Sequence, residues 1–305
     1  MLNFLGRRIA YSAISLVGLI ILVFFLARLT GDPSYLYLPV DATQAMREEF
    51  AARHGFDQPS YVQFGLFVRE LLTFDFGSSL YYKKPALDVV LNAFPTTLWL
   101  AFFTMLFSLT ISIVTGSLAA AKPDGMFDRI ATALSLTGAS APNFWVAIVG
   151  ILVFAVWLRL VPTSGIGGPQ YWILPILVLV IGPCGRLVQV VRGSMISALS
   201  SGYVRTARAK GAGPSTIIFV HALRNSMLPV ITVAGDLAAG ILNGAVIVET
   251  VFGFPGIGKL MIDAITNRDF AVLQTAVMVS AIAIFIMNIA IDIIYVTLDP
   301  RVRTE

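Results

Sequence analysis

The chain has 305 residues, of which 57% are hydrophobic and only 12% charged, with a formal net charge of +4. Globular domains carry about 25% charged residues, so this composition excludes a chain that covers itself with a water-compatible surface. It points to one bundle of membrane helices, in which a small positive charge reflects loop topology rather than nucleic-acid binding, and the single Cys184 excludes an intrachain disulfide.

A bilayer core takes about 20 apolar residues in a helix. On that measure the spans fall at Ile9–Leu29, Thr96–Ala120, Ala131–Leu158, Tyr171–Val191, Leu228–Val248 and Thr275–Val296. The first follows Arg7 and Arg8 like a signal peptide, but it is longer than the usual apolar region and no A-x-A site follows, so it is expected to be a retained helix. The segment 30–95 is the one sizeable piece outside the spans. It has amphipathic helical patterning around Thr43–His54 and Tyr61–Thr73, divided by Gly55 and Pro59. It is expected to pack as a small outer cap, with a surface for an extracytoplasmic partner as the alternative.

Lys and Arg favour the cytoplasmic side of short loops. With the N-terminus inside, the inner segments hold Arg7, Arg8, Lys122, Arg129, Arg192, Arg205, Arg208, Lys210, Arg224, Arg301 and Arg303. The two short outer loops hold only Lys259 and Arg268. An even number of spans returns the C-terminus to the inside, so both termini are expected in the cytoplasm.

The segment 192–227 is the distinctive cytoplasmic loop. Tyr203–Lys210 has good helix formers and stops at Gly211. Tyr203 and Ala207 share one face, and Arg205 and Arg208 share another. After Gly211 and Gly213, Pro214 is placed to start a new helix carrying Ile217, Ile218 and His221 towards Pro229, where the next span begins. On these residues alone, a basic loop lying on anionic lipid and a protein-docking element stand level.

The order Tyr203, Arg205, Thr206, Ala207, Arg208, Ala209, Lys210, Gly211, then His221, Leu223, Arg224, Asn225 and Pro229, resembles the cytoplasmic signature of ABC importer permeases of the oligopeptide, dipeptide and nickel branch. Gly202 departs from the acidic residue common before the tyrosine, which removes a charge and an N-cap candidate. The resemblance continues at Gly31-Asp32-Pro33, Asp75-Phe76-Gly77-Ser78-Ser79, Pro142-Asn143-Phe144-Trp145, Glu249 through Gly258, Arg268-Asp269-Phe270 and Asp299-Pro300-Arg301-Val302-Arg303. It implies an all-α polytopic type I importer permease fold as one domain, in a bacterial inner membrane. It implies a second homologous permease subunit, two cytoplasmic ATPases and an extracytoplasmic solute-binding protein as partners. It also implies that Tyr203, Arg205, Thr206, Ala207, Arg208, Lys210, Gly211 and His221 couple this chain to an ATPase.

Gly253 through Leu260 matches all but the last position of a phosphate-binding G-x-x-x-x-G-K-[ST] loop. Leu260 stands where the Mg²⁺-ligating hydroxyl belongs and no strand precedes it. No cofactor site is therefore expected in this chain, and ATP and Mg would be bound by the partner subunits. His54 and His221 lie on opposite sides of the membrane, so they cannot form one metal site.

Arg186, Asp236 and Asp292 fall inside spans, where charges are costly and are usually paired or functional. They are expected to meet as an ion network between helices, with gating or solute contact as the second reading. Asn143, Thr232, Asn243, Ser280 and Asn288 are polar positions on a candidate solute path, each equally able to serve helix packing. Two rivals to the importer reading are an ion-gradient-driven secondary transporter using Asp236 and Asp292, and an intramembrane aspartyl hydrolase. The latter lacks the G-x-G-D run, because Val233 precedes Ala234-Gly235-Asp236.

Overall fold

The structure, a computed structural model, describes residues 2–29, 34–39 and 41–298. The motifs Gly31-Asp32-Pro33 and Asp299 through Arg303 lie outside the described residues. The helices in chain order are α1 (Leu2–Leu29), α2 (Ser34–Tyr37), α3 (Gln44–His54), α4 (Ser60–Leu72), α5 (Ala86–Ala121), α6 (Met126–Ser140), α7 (Asn143–Gly150), α8 (Gln170–Leu199), α9 (Gly202–Ala209), α10 (Pro214–Thr216), α11 (Leu223–Val251), α12 (Ile257–Thr266) and α13 (Phe270–Leu298). Two π-helical segments, Ile151–Trp157 and Ile217–Ala222, extend α7 and join α10 to α11. Among the described residues there is no strand, only an isolated bridge between Ser78 and Pro85.

Among the described residues five helices are long and apolar enough to cross a membrane, and a sixth crossing exists if the bent pair Met126–Ser140 and Asn143–Trp157 counts as one. In hydrocarbon only a helix or a closed barrel satisfies every backbone polar group, and this composition takes the helical solution. Several helices overrun the spans expected from hydropathy. The second span begins at Ala86 rather than Thr96, and the fourth runs to Leu199 rather than Val191. Hydropathy registers only the oily window, whereas backbone hydrogen bonding continues the helix beyond it.

The third span is a larger departure. The stretch Ala131–Leu158 is not one helix but breaks at Ser140–Pro142, where the two halves bend by 104°. Proline disfavours the helical region for the residue before it. Ala141 accordingly takes an extended ψ of 128° and Pro142 opens a new helix. Pro229 also departs from expectation, because helix continues through it rather than starting there.

The residues form two compact units. The first comprises residues 1–96 and 255–285. Its core joins Ala27, Ala86, Val90, Ile257, Leu260, Phe270, Val272 and Leu273. The expected pair of amphipathic helices is present as α3 and α4. Thr43 caps α3 by accepting from the Met46 amide, and Gly55 ends it at φ 69°. The Phe56 and Gly55 amides return to the Ala51 and Ala52 carbonyls, the paired bonds of a Schellman stop.

The second unit comprises residues 97–254 and 286–305. Its tightest contact is antiparallel packing of α6 on α8. A Cβ at Gly185 would lie 2.3 Å from the Ser135 carbonyl oxygen and 2.8 Å from the Ala139 nitrogen, and one at Gly138 would lie 3.1 Å from Ile181. Gly138 and Gly185 therefore admit backbone where any side chain would stand. Replacing Gly185 with Ala is expected to cost about 1–3 kcal/mol through overpacking, read as a lower melting temperature in detergent. Gly193→Ala, also inside α8 but where a Cβ meets nothing within 4 Å, is the matched control and should melt at or slightly above the parent chain.

Candidate functional site

The α9 segment is anchored by one buried side chain and stopped cleanly at its far end. Val204 is 0% exposed and fastens α9 from within, and Ala207, one turn on, is half-buried. Around this anchor Tyr203, Arg205, Thr206, Arg208 and Lys210 are exposed. At the far end the Ala212 amide donates to the Ala207 carbonyl at 3.1 Å and the Gly211 amide to Arg208 at 3.0 Å, with Gly211 at φ 82°. This second Schellman stop needs a residue at ease in the left-handed region, which is why glycine stands there. Ser201, not Gly202, occupies the N-cap position, so the expectation that Gly202 replaces a cap is corrected. Gly202 is the first helical residue, and Thr206 Oγ1 donates to its carbonyl.

Among the described residues Arg205, Arg208 and Lys210 make no ion pair. The same holds for Arg224 at the start of α11. His221 sits in the π-helical segment, half-buried, and its carbonyl accepts from Asn225 Nδ2 at 2.9 Å. It therefore belongs to the scaffold that α9 packs on rather than to the exposed cationic face. Sequence reasoning missed Val204. Its signal was available: it is the one branched aliphatic residue of the octet Gly202–Ala209.

The ion pair that secures this end is Asp128 with Arg192. Asp128, in the first turn of α6, is 2% exposed and accepts from Arg192 Nε and, at 2.7 Å, from Nη2. Its Oδ2 also accepts from the Asp124 amide at 2.8 Å. One heptad along, Gln189 Nε2 donates to Ser135 Oγ. Asp128 and Ser135 on α6 therefore face Arg192, Gln189 and Gly185 on α8, a polar edge on the close contact described above.

Arg186 and Asp236 lie near the middles of α8 and α11 and are exposed in this chain. No described side chain forms an ion pair with either. The Asp292 side chain lies outside the described set. Arg186 lines a cleft of about 310 Å³ together with Asn143, Gly182, Pro183 and Gly240. A different membrane acid is buried: Glu249, 0% exposed, accepts from Thr97 Oγ1 at 2.6 Å.

In the first unit, two motifs quoted for the family resemblance meet. Asp269, 1% exposed, accepts from Ser79 Oγ at 2.5 Å, from the Tyr81 amide at 3.2 Å and from the Val272 amide at 3.3 Å. One carboxylate thus caps the start of α13 and tethers the Ser78–Tyr82 turn, while Gly77 sits against Ala271. Tyr37 Oη donates to the Asn267 carbonyl at 2.7 Å. Burial first, then Asp269 and Tyr81, holds its phenol well above the ordinary range, so it stays a donor at neutral pH. The nucleotide-loop resemblance dissolves here: Leu260 is buried and Lys259 Nζ pairs with Asp263 at 2.5 Å on its own helix.

Residues 112–304 match the family described as binding-protein-dependent transport system inner membrane component. Along its full length the chain is 35% identical to the di/tripeptide transport system permease protein DppB of Pseudomonas aeruginosa (strain UCBPP-PA14), covering 100% of both chains. It is 34% identical to the oligopeptide transport system permease protein AppB of Bacillus subtilis (strain 168), covering 99% of this chain and 100% of the relative. In fold it resembles the inward-facing MetNI methionine ABC transporter at TM-score 0.61 and 17% identity, over 70% of this chain and 98% of that one. The chain belongs to the binding-protein-dependent transport family. It is an all-α membrane permease subunit of the ABC importer kind.

Replacing Asp128 with Ala strands Arg192 in a half-closed site. The expected loss is about 2–3 kcal/mol of stability, below the fully buried case because the Arg192 side chain keeps 24% of its surface. A double-mutant cycle with Arg192→Leu should recover much of it, and additive losses would show that the two residues do not act as a pair.

Proposed function

We propose that this chain is one of two related permease subunits in an ATP-driven importer of peptide-like solutes, with α9 as the element gripped by an ATPase subunit. The observation that carries the coupling role is the unspent positive charge on a short, rigidly ended helix. Arg205, Arg208 and Lys210 are exposed, have no acid partner among the described residues, and stand on a helix anchored by Val204 and stopped at Gly211. A lipid-lying loop needs neither a buried anchor nor a Schellman stop, whereas a force-transmitting element needs both. Family membership supports partners of the ATPase and binding-protein kinds.

The proposed complex has a second permease subunit, two cytoplasmic ATPases and an extracytoplasmic binding protein. This chain has both termini and α9 inside a bacterial inner membrane, and α2–α4 outside as a cap. It is not itself an enzyme. ATP and Mg belong to the partners, since the one loop resembling a phosphate site has Leu260 at its metal position. The solute class rests on the relatives, whose names state di/tripeptide and oligopeptide transport. Nothing among the described residues favours the ion-driven alternative.

Arg205→Glu with Arg208→Glu should leave the protein in the membrane and lower ATP-dependent uptake by about tenfold or more, since each lost charge-assisted contact is worth roughly 1.5–3 kcal/mol. Uptake is measured in the assembled importer alongside ATP hydrolysis. Unchanged uptake in the double variant contradicts the docking role. Gly211→Ala forces a side chain into the left-handed region at about 1–2 kcal/mol. It should loosen coupling, read as ATP hydrolysed per solute imported, without loss of assembly.

A further inference from the structure

Arg186 is a cation in the middle of an apolar helix, open to its surroundings and without an acid partner among the described residues. Such a residue does not face lipid in a stable membrane protein; it faces water or another polar group. What surrounds it has the same character. Across the cleft, α6 and α7 break at Ser140–Pro142 with a bend of 104°. On α8 itself, Pro183 has no amide to offer the Leu179 carbonyl four residues back, and both residues line the cleft. Irregular backbone at membrane depth is tolerated only inside protein or beside a water-filled cavity. Gly182 and Gly240 keep the space open: a Cβ at Gly182 would meet nothing nearer than Asn143 Oδ1 at 4.0 Å, and one at Gly240 meets nothing within 4 Å. An amide side chain, a guanidinium and two interruptions of helical backbone therefore border one volume of about 310 Å³ in the second unit. That is the small end of ligand-site volumes, which run from about 300 to 1,000 Å³, so it suits one end of a solute rather than the whole.

We propose that this cleft is a station on the translocation path where Arg186 holds a carboxylate of the passing solute, with Asn143 as a hydrogen-bonding neighbour. The proposal rests on the peptide-like solute reading above, because a terminal carboxylate is a group that di-, tri- and oligopeptides share. The guanidinium fork matches a carboxylate in two parallel hydrogen bonds, which a point charge cannot reproduce. The cleft is open on one side, so the hold is passing rather than a closed trap.

The test uses the complete importer in proteoliposomes, with trialanine and its C-terminal amide as probes, each loaded on the binding protein. Arg186→Gln should lower trialanine uptake by about tenfold or more, the value of one charge-assisted contact. Amide uptake should change less than twofold, binding-protein-stimulated ATP hydrolysis should persist, and Arg186→Lys should keep part of the trialanine rate. Equal loss for both probes, or no loss for either, overturns the proposal. So does recovery of trialanine uptake when Asp236→Asn is added, because Arg186 would then be a counter-ion within the protein. Loss of the assembled complex would assign Arg186 to the permease partner and also overturns it. If the parent importer carries neither probe, the peptide reading fails on its own. The site is then decided by Asn143→Cys in a Cys184→Ala background that keeps Arg186: labelling by a water-soluble methanethiosulfonate that an excess of acetate blocks, and no longer blocks once Arg186→Gln is added, supports a carboxylate station, and absent or unblocked labelling overturns it.

Discussion

In hydrocarbon a polar group without a partner is costly, and this one constraint orders the whole molecule. The helices run long because each intrahelical bond removes two polar groups from lipid. Two interruptions of the ladder, at Ser140–Pro142 and at Pro183, border the same cleft, whereas the in-helix Pro95, Pro175 and Pro229 lie outside its lining. Three polar side chains that enter the bundle are taken up between helices: Asp128 by Arg192, Ser135 by Gln189, Glu249 by Thr97. The close α6–α8 approach at Gly185 brings those side chains within reach of each other.

The same reasoning separates what is structural from what is held in readiness for a partner. Asp269 spends its carboxylate on three donors, so it is a fastening. Arg205, Arg208 and Lys210 spend their charges on no ion pair among the described residues, although the helix that carries them is anchored by Val204 and stopped at Gly211. In the proposed coupling role, such a mount would pass displacement into α10, the π-helical segment and α11. That continuous helical run, from Pro214 to Val251, leads from the α9 loop directly into a membrane-crossing helix.

Local signals were legible in the sequence and long-range ones were not. Thr43, Gly55 and Pro59 delimit α3 and α4 by capping and turn chemistry, and Gly211 ends α9 as its composition implies. The break in the third span escaped because hydropathy averages over direction: Ala131–Leu158 is uniformly oily, and only Pro142 marks the bend. Asp128 and Arg192 escaped because they are 64 residues apart and each, alone, looks like a loop charge. The expected meeting of Arg186 with Asp236 is not made between described side chains. Their like depth in the membrane was inferable, but the faces they present depend on packing around Gly235, where a Cβ would lie 2.5 Å from Ile291. Val204 was overlooked because charge drew the reading to its neighbours.

The central claim is that the exposed face of α9 meets an ATPase. A photo-crosslinking amino acid in place of Tyr203, which is 42% exposed on that face, reports its neighbour directly in membranes holding the complete importer. The account predicts one dominant adduct with the ATPase subunit, altered in yield when nucleotide is bound. Adducts with lipid alone, or with the extracytoplasmic binding protein, would contradict it.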